Sequence, residues 1–568
     1  MMTEAADKKR IIFNVFLGLI VLVGSFYVAT EGFYMDEAGL LATYKGIFQG
    51  NRMFIDSWGP YQLGGILTYP LFALYYYALE PVLYPIGIGF MLYTRICYQI
   101  IRLLIAIYLY ATIKKTEYEK GAFLTALTYY VLFISYKNFS YKSMCDFGIV
   151  LFICWAVRFF DTRNRWYFLP MGLATCVMIL SYPTMIIFPV FVVISLIVLM
   201  YNGYELGKPT IIYIVTCVVV GVAVVIYLQL TSGIMNIIPQ LAYIEDSAYK
   251  NPMYVRFGMM LLSYLVFFVI AYAPVVVLKI IGFIRGMDDE TAHVILSIYW
   301  ILFMAASIIA RPESVSASRF VYGCLIIFWW LPFFVEKREK LEYTRIGHYK
   351  LPEHEGKGML KIIFFISVVV QLIWSISTNQ GITVPGYMCF YVVLIVVMLA
   401  ASEEVLGLKL LATAVVGFAL FFSLVWVAES DGGYNDIFES RYYVTDGAYK
   451  GIALDQTDYD MNKAAYDLVT EYVTSEDKLF VLHGYSYSAY LNSDAKQGAG
   501  SPYSRAGKGQ MRVLQYWEVN PENQPDYIMI NPSNKYYEEF VGGETEEYIN
   551  ENYKTTVATE GDFILLAR

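Results

Sequence analysis

Near-continuous apolar runs, several of them short for a bilayer span, recur from residue 11 to about residue 428, and they leave few folds open. In lipid every backbone N–H and C=O must be satisfied within the protein, so separate runs of this length are helices. They fall at 11–30, 86–113, 121–136, 146–160, 166–180, 184–201, 210–230, 257–284, 293–310, 320–335, 362–378, 387–401 and 409–428. Composition agrees: 58% of the 568 residues are hydrophobic and only 16% charged, where a soluble domain carries about 25% charged residues. The sequence predicts a polytopic α-helical membrane protein with about 13 transmembrane helices. The first run follows Lys8-Lys9-Arg10 without a small-residue cleavage site before Glu31, so it is expected to stay as an anchor.

One more apolar stretch, 63–84, is interrupted by Pro70 and Pro81 and followed by Pro85, and charge decides how it is placed. If it does not cross, Lys114, Lys115, Lys120, Arg158, Arg163, Arg165, Lys208, Arg285 and the basic loop 337–361 all share the side of the N-terminus. The opposite short loops hold only scattered pairs, which is the positive-inside pattern. If it crosses, every later loop inverts. The stretch is therefore expected to be re-entrant or to lie along the surface, with the N-terminus cytoplasmic and a first external loop at 31–85. From about Glu429 the chain turns polar and acidic, with helical spacing at 457–473 and short strand patterns at 478–483, 527–531 and 562–566. This predicts two domains: a membrane domain, 1–428, and an extracytoplasmic soluble α/β domain, 429–568.

Several function classes drop out. No basic cluster with interleaved aromatics appears and the pI is near 5.3, so nucleic acid is not an expected partner. The seven cysteines, Cys97 to Cys389, lie in or beside apolar runs with no CxxC spacing, which argues against a disulfide framework or a thiolate metal site. Of the four histidines only His483 falls clearly outside by this topology, so no histidine metal cluster forms there. Few charges sit in the central runs, which counts against a transporter built from charged broken helices.

Polar chemistry concentrates in the first external loop. Tyr34-Met35-Asp36-Glu37-Ala38 opens a segment in which Leu40, Leu41, Tyr44, Ile47 and Phe48 recur at helical spacing. A short helix is expected there, lying on the membrane with its apolar face down. Asp36 and Glu37 suit the positive start of that helix; equally, a carboxylate beside the bilayer can act as general base or hold a divalent metal. The loop closes with Asp56-Ser57-Trp58-Gly59-Pro60-Tyr61. The second external loop carries Lys137, Lys142 and Asp146, where Asp146 either caps the next helix or faces the same site. Arg95 and Arg102, seven apart within one run, share a helix face and either meet a phosphate or form structural pairs. Arg256 and Arg319 begin runs at the outer surface, where a lipid phosphate would sit; the other reading is interfacial anchoring.

The segment Tyr34-Met-Asp36-Glu37-Ala-Gly-Leu-Leu-Ala-Thr-Tyr44 resembles the first-loop acidic motif of GT-C glycosyltransferases, the users of polyprenyl-phosphate sugars that include protein O-mannosyltransferases and the lipid A aminoarabinose transferase. Asp56-Ser-Trp58-Gly59-Pro60-Tyr61 resembles the segment that closes the same loop. The resemblance is specific over residues 34–61 and elsewhere is one of architecture. Two positions depart: Trp58 and Gly59 replace the basic residue of some relatives, and Ala38 replaces the threonine-arginine of the aminoarabinose enzymes, which argues against that sugar. The resemblance implies a GT-C fold and an inverting hexosyl- or pentosyltransferase using a polyprenyl-phosphate sugar and a glycan, lipid or protein acceptor, while the expected lack of disulfides, compact length and short loops point to a bacterial plasma membrane. It implies catalytic roles for Asp36, Glu37 and Asp146. Asp56, Trp58, Tyr61, Lys142, Arg256 and Arg319 would bind substrate, with Mg or Mn on Asp36 left open. The alternatives are a lipid-linked sugar flippase or transporter, and a polysaccharide polymerase.

Overall fold

The computed structural model describes residues 2–32, 35–132, 137–244, 253–310, 323–330, 343–346, 349–352, 355–377, 393–398, 406–425, 429–430, 433–434, 442–482, 487–502, 509, 511–534 and 537–568. The chain is mostly helical. Among the described residues, six helices are long and apolar enough to cross a membrane: Ile11–Ala29, Phe90–Ile113, Tyr141–Thr162, Pro183–Tyr201, Gly207–Thr231 and Tyr254–Arg285. Four shorter apolar helices, Arg165–Ser181, Glu290–Ala306, Ile363–Ser377 and Leu406–Leu420, bring the total to ten of the thirteen expected runs. The run at 121–136 is helical over Ala122–Val131, and those at 320–335 and 387–401 are described in part, as helix over 323–330 and 393–398.

Seven helices frame the first loop and its surroundings: α1 (Met2–Ala29), α2 (Met35–Phe48), α3 (Gly64–Leu74), α4 (Phe90–Ile113), α5 (Ala122–Val131), α6 (Tyr141–Thr162) and α7 (Phe168–Ser181). Helices α6 and α7 pack backbone to backbone because Gly148 has no side chain; a Cβ there would stand 2.8 Å from the Ala174 carbonyl oxygen. Helix α3 continues through a π turn (Tyr75–Leu79) and short turns to Ile86, where Gly87 reverses the chain at φ +90°.

The ends of this 64–86 run decide its course. Just before it, the Trp58 N–H donates to the Gly500 carbonyl at 2.5 Å and the Tyr516 hydroxyl donates to the Asp56 carbonyl at 2.9 Å. Just after it, the N–H groups of Gly89 and Met91 donate to the carbonyls of Lys450 (2.9 Å) and Ala448 (2.8 Å). Both ends rest on the same C-terminal region, so the run begins and finishes on one side of the helix bundle.

Beyond residue 442 a five-stranded mixed sheet forms. Its strands are β1 (Lys478–Leu482), β2 (Lys496–Gln497), β3 (Tyr527–Ile530), β4 (Thr555–Glu560) and β5 (Phe563–Ala567), in the order β4-β5-β3-β1-β2. β1 runs parallel to β2 and β3, and β5 antiparallel to β3 and β4. The helices Gln456–Tyr472, Tyr487–Asn492, Arg512–Val519 and Glu544–Asn552 complete an α/β unit. This unit touches the end of α1, where Gly32 N–H donates to the Ala453 carbonyl at 2.8 Å and Ala453 N–H to the Thr30 carbonyl at 2.7 Å.

Helix α2 departs from the expectation of a surface helix with one face in lipid. Its residues from Glu37 to Lys45 are all buried, polar ones included, with Leu41 at 0% and Lys45 at 4% exposure. The spacing showed one apolar stripe, but the opposite face is covered too: α3 packs on one side, where a Cβ on Gly64 would meet the Tyr44 hydroxyl at 2.6 Å, and the helix Tyr487–Asn492 packs on the other. Helix α2 is thus a buried layer between the apolar bundle and the α/β unit.

Candidate active site

Asp36 and Glu37 occupy the first turn of α2, where the helix dipole favours negative charge. Their surroundings differ completely. Glu37 is 1% exposed and bound in a fork by Arg95 of α4, with Nε–Oε1 at 2.9 Å and Nη2–Oε2 at 2.7 Å. The same guanidinium donates to the carbonyls of Ala29 and Glu31 (both 3.1 Å) and Gly32 (3.0 Å). These carbonyls end α1 and have no helical partner of their own. One buried arginine therefore closes α1, neutralises Glu37 and fixes the start of α2. Asp36 is only half-buried, and Lys142, in the first turn of α6, interacts with it electrostatically.

Arg102, one heptad further along α4, does for α5 what Arg95 does for α1. It donates to the carbonyls of Tyr129 (2.7 Å), Tyr130 (3.1 Å) and Leu132 at the helix end. Of the two readings left open by the sequence, the geometry supports structural pairing for both arginines. The cap of α6 is Ser140, in a reciprocal box with Ser143: Ser143 N–H to Ser140 Oγ is 3.0 Å and Ser140 N–H to Ser143 Oγ is 2.8 Å. Asp146 is therefore not the cap. It lies one turn inside α6 from Lys142, 1% exposed, with the Arg102 charge acting on it. Lys137 directs its ammonium to the Glu31 carbonyl at 2.8 Å.

The loop-closing segment divides. Asp56 accepts from the Arg52 backbone N–H (2.7 Å), the Arg52 guanidinium (2.6 Å) and Asn523 Nδ2 (3.1 Å). Trp58 is 0% exposed; its Nε1 donates to Gln240 Oε1 at 2.7 Å, and its ring stacks on Tyr243 at 4.6 Å and meets the edge of Tyr516 at 5.0 Å. Both side chains are thus engaged in joining the first loop to the α/β unit and to the 234–243 segment. Tyr61 turns the other way. It stacks on Tyr141 at 3.9 Å and 6°, beside Lys142, and Tyr182 and Trp374 extend the array.

Arg256 is half-buried in the first turn of the helix Met253–Arg285; Arg319, Tyr34 and His483 lie outside the described residues. Among the described residues no group of three His, Cys, Asp or Glu side chains is placed to hold a metal ion. Of the two adjacent carboxylates, Glu37 is held by Arg95, which leaves Asp36 as the oxygen ligand that a divalent cation would meet here. Lys45 is a functional candidate that sequence reasoning missed. Its buried ammonium leaves α2 toward the α/β unit, with no signal in the sequence beyond a lysine on an otherwise apolar helix.

These features describe a polytopic helical protein whose first inter-helix loop is clamped between an apolar bundle and a polar α/β unit, with one half-exposed acid whose charge acts on a lysine. No family model matches the chain, and no curated protein matches it. Among solved structures it is similar to ArnT from Cupriavidus metallidurans in the apo state, at 11% identity and TM-score 0.43, over 99% of this chain and 98% of that one. The same enzyme bound to undecaprenyl phosphate matches at 10% identity and TM-score 0.41, over 98% of each chain. The Archaeoglobus fulgidus oligosaccharyltransferase tethered with an acceptor peptide matches at 12% identity and TM-score 0.44, over 95% of this chain and 72% of that one.

Proposed function

We propose that this chain is an integral-membrane inverting glycosyltransferase of the GT-C kind. It moves a hexosyl or pentosyl unit from a polyprenyl-phosphate donor to an acceptor hydroxyl on the side of the membrane where the α/β unit stands. The observation that carries this reading is the division of labour in the first turn of α2: Glu37 is locked by Arg95, which leaves Asp36 half-exposed and opposed by Lys142. The motif around these residues is the one that resembles the family.

The chemistry follows from those two groups. The Asp36 carboxylate takes the proton of the acceptor hydroxyl as its oxygen attacks the anomeric carbon. The bond from that carbon to the phosphate oxygen breaks with its electron pair, and the departing polyprenyl phosphate gathers negative charge. The Lys142 ammonium meets that charge, and Arg256 and Arg319 are the further cations proposed for it. A single displacement inverts the sugar. Tyr61 and Tyr141, half-buried beside Lys142, offer ring surface for the donor. In this reading Asp56 and Trp58 act on the loop, and Asp146 acts through Arg102.

Sidedness rests on charge. Arg158 Nε donates to Thr112 Oγ1 at 3.0 Å, joining the ends of α4 and α6. Lys114, Lys115, Arg163 and Arg165 stand in the turns that follow these two helix ends, away from the first loop. By the positive-inside rule that end is cytoplasmic. The protein is then a multi-pass enzyme of the bacterial plasma membrane with residues 429–568 outside.

The test is transfer of radiolabelled sugar from polyprenyl-phosphate donors by purified protein, wild type beside Asp36→Asn, with and without EDTA. Transfer by the wild type that is lost in the variant is expected, and the EDTA lane decides whether a metal takes part. Full activity in Asp36→Asn overturns the assignment of the base, and no transfer with any donor moves the flippase reading forward.

A further inference from the structure

We propose that Lys45 is a positioning residue for Asp36, and that through it the α/β unit sets the reactive end of α2. The proposal rests on Asp36 as the base. Helix α2 has 14 residues and so is about 21 Å long, and it is pinned at both ends. Near its start, Glu37 is held by Arg95 from the helix bundle. Near its finish, the Lys45 ammonium, 4% exposed, donates to the carbonyls of Leu491 (2.9 Å) and Ser493 (2.8 Å) and pairs with Asp494 at 3.3 Å.

Those carbonyls lie at the end of the helix Tyr487–Asn492, where backbone oxygens lack helical donors and the dipole is negative. A cation is the natural partner, and this one is supplied by the first loop rather than by the unit itself. Gln49 Nε2 adds a bond to Asp494 at 2.9 Å, and the Tyr76 ring lies 5.9 Å from the ammonium. Lys45 stands nine residues from Asp36, two and a half turns along a rigid rod, so its effect on the carboxylate travels through α2. With α3 packed beneath and the unit above, α2 has one seat, and releasing Lys45 frees one end of it.

The experiment uses the purified full chain with Lys45→Met and Lys45→Arg. A shift of about 1 Å in a reacting group costs on the order of a hundredfold in rate, so Lys45→Met is expected to lower kcat roughly ten- to a hundredfold with donor KM nearly unchanged. Lys45→Arg, which still donates to both carbonyls, is expected to recover most of kcat. Hydrogen–deuterium exchange over residues 36–48 needs no substrate and should speed about tenfold in Lys45→Met while α4 and α6 stay protected. If Lys45→Met does not fold, Asp494→Asn gives the milder form, a few-fold loss of kcat with faster exchange in the same segment. Unchanged kcat and exchange in Lys45→Met, or an Arg variant as impaired as Met, overturns the proposal. Absence of transfer by the wild type, with α2 loosened as expected, sinks the functional reading and leaves the pin intact.

Discussion

The two halves of the first loop began as one candidate site and the structure gives them different work. The half at 36–48 is held by charge from both sides, Arg95 from the bundle and the 491–494 carbonyls and carboxylate from the α/β unit, and it leaves Asp36 half-exposed within electrostatic reach of Lys142. The half at 52–58 is held by aromatic packing and hydrogen bonds to Gly500, Tyr516, Asn523, Gln240 and Tyr243. The first half ties up one acid and leaves the other half-exposed. The second half commits both its acid and its tryptophan to docking. Adjacent polar residues in a loop are thus sorted by their partners, and the proposed base is the one that keeps an exposed face.

That contrast breaks most sharply at the two neighbouring acids. Asp36→Asn should remove a general base, a loss of about 10²- to 10⁴-fold in transfer, with the melting temperature almost unmoved because the side chain is half-exposed. Glu37→Gln should do the reverse. It strips the counter-ion from a buried guanidinium, which costs about 3–5 kcal/mol, and thermal unfolding should show it before any kinetic assay does. Equal effects of the two substitutions on stability would erase the difference between the two acids.

The second half should respond through docking. Trp58→Ala removes a fully buried ring and takes the indole donor away from Gln240, a loss of about 3–5 kcal/mol if the site does not collapse. Limited proteolysis should then release a fragment near the junction of the membrane and α/β regions; an intact, fully active variant would return Trp58 to the substrate site. The smallest effect concerns pH. Burial raises the Tyr516 hydroxyl far above its ordinary value, with the Asp56 charge adding to the rise. The folded chain keeps a proton that the unfolded chain releases above about pH 10. This contribution is complete below about pH 10 and is lost as pH rises further, so the wild-type melting temperature should fall through the alkaline range. Tyr516→Phe cannot ionise and should fall less steeply.

The fold was legible where the signal was local. Long apolar runs became helices, and the short strand patterns at 478–483, 527–531 and 562–566 became β1, β3 and β5. Strand β4, Thr555–Glu560, was not, because its residues are mostly polar or half-exposed and show no apolar alternation. The candidate site was legible as a motif at Asp36 and Glu37, and through Lys142 in the second loop. Arg95 and Arg102 were visible as buried charges, but which carbonyls they serve depends on the ends of α1 and α5, up to 66 residues away. The long-range partners of Asp56 and Trp58 were not legible, because Gln240 and Asn523 lie 182 and 467 residues further on. Lys45 gave no warning at all, since a lysine on an amphipathic helix ordinarily faces water.

By itself the sequence determined the membrane-embedded class, the helical runs, the polar C-terminal region and the acidic loop between the first two runs. These are properties of hydrophobicity and short-range pattern, and the bilayer enforces them segment by segment. Only the tertiary structure decided that α2 is buried on both faces, that Glu37 is locked while Asp36 keeps an exposed face, and that Trp58 is buried against Gln240, Tyr243 and Tyr516. Those outcomes turn on which charge meets which across hundreds of residues, and electrostatic matching in a buried layer is set by distance in space.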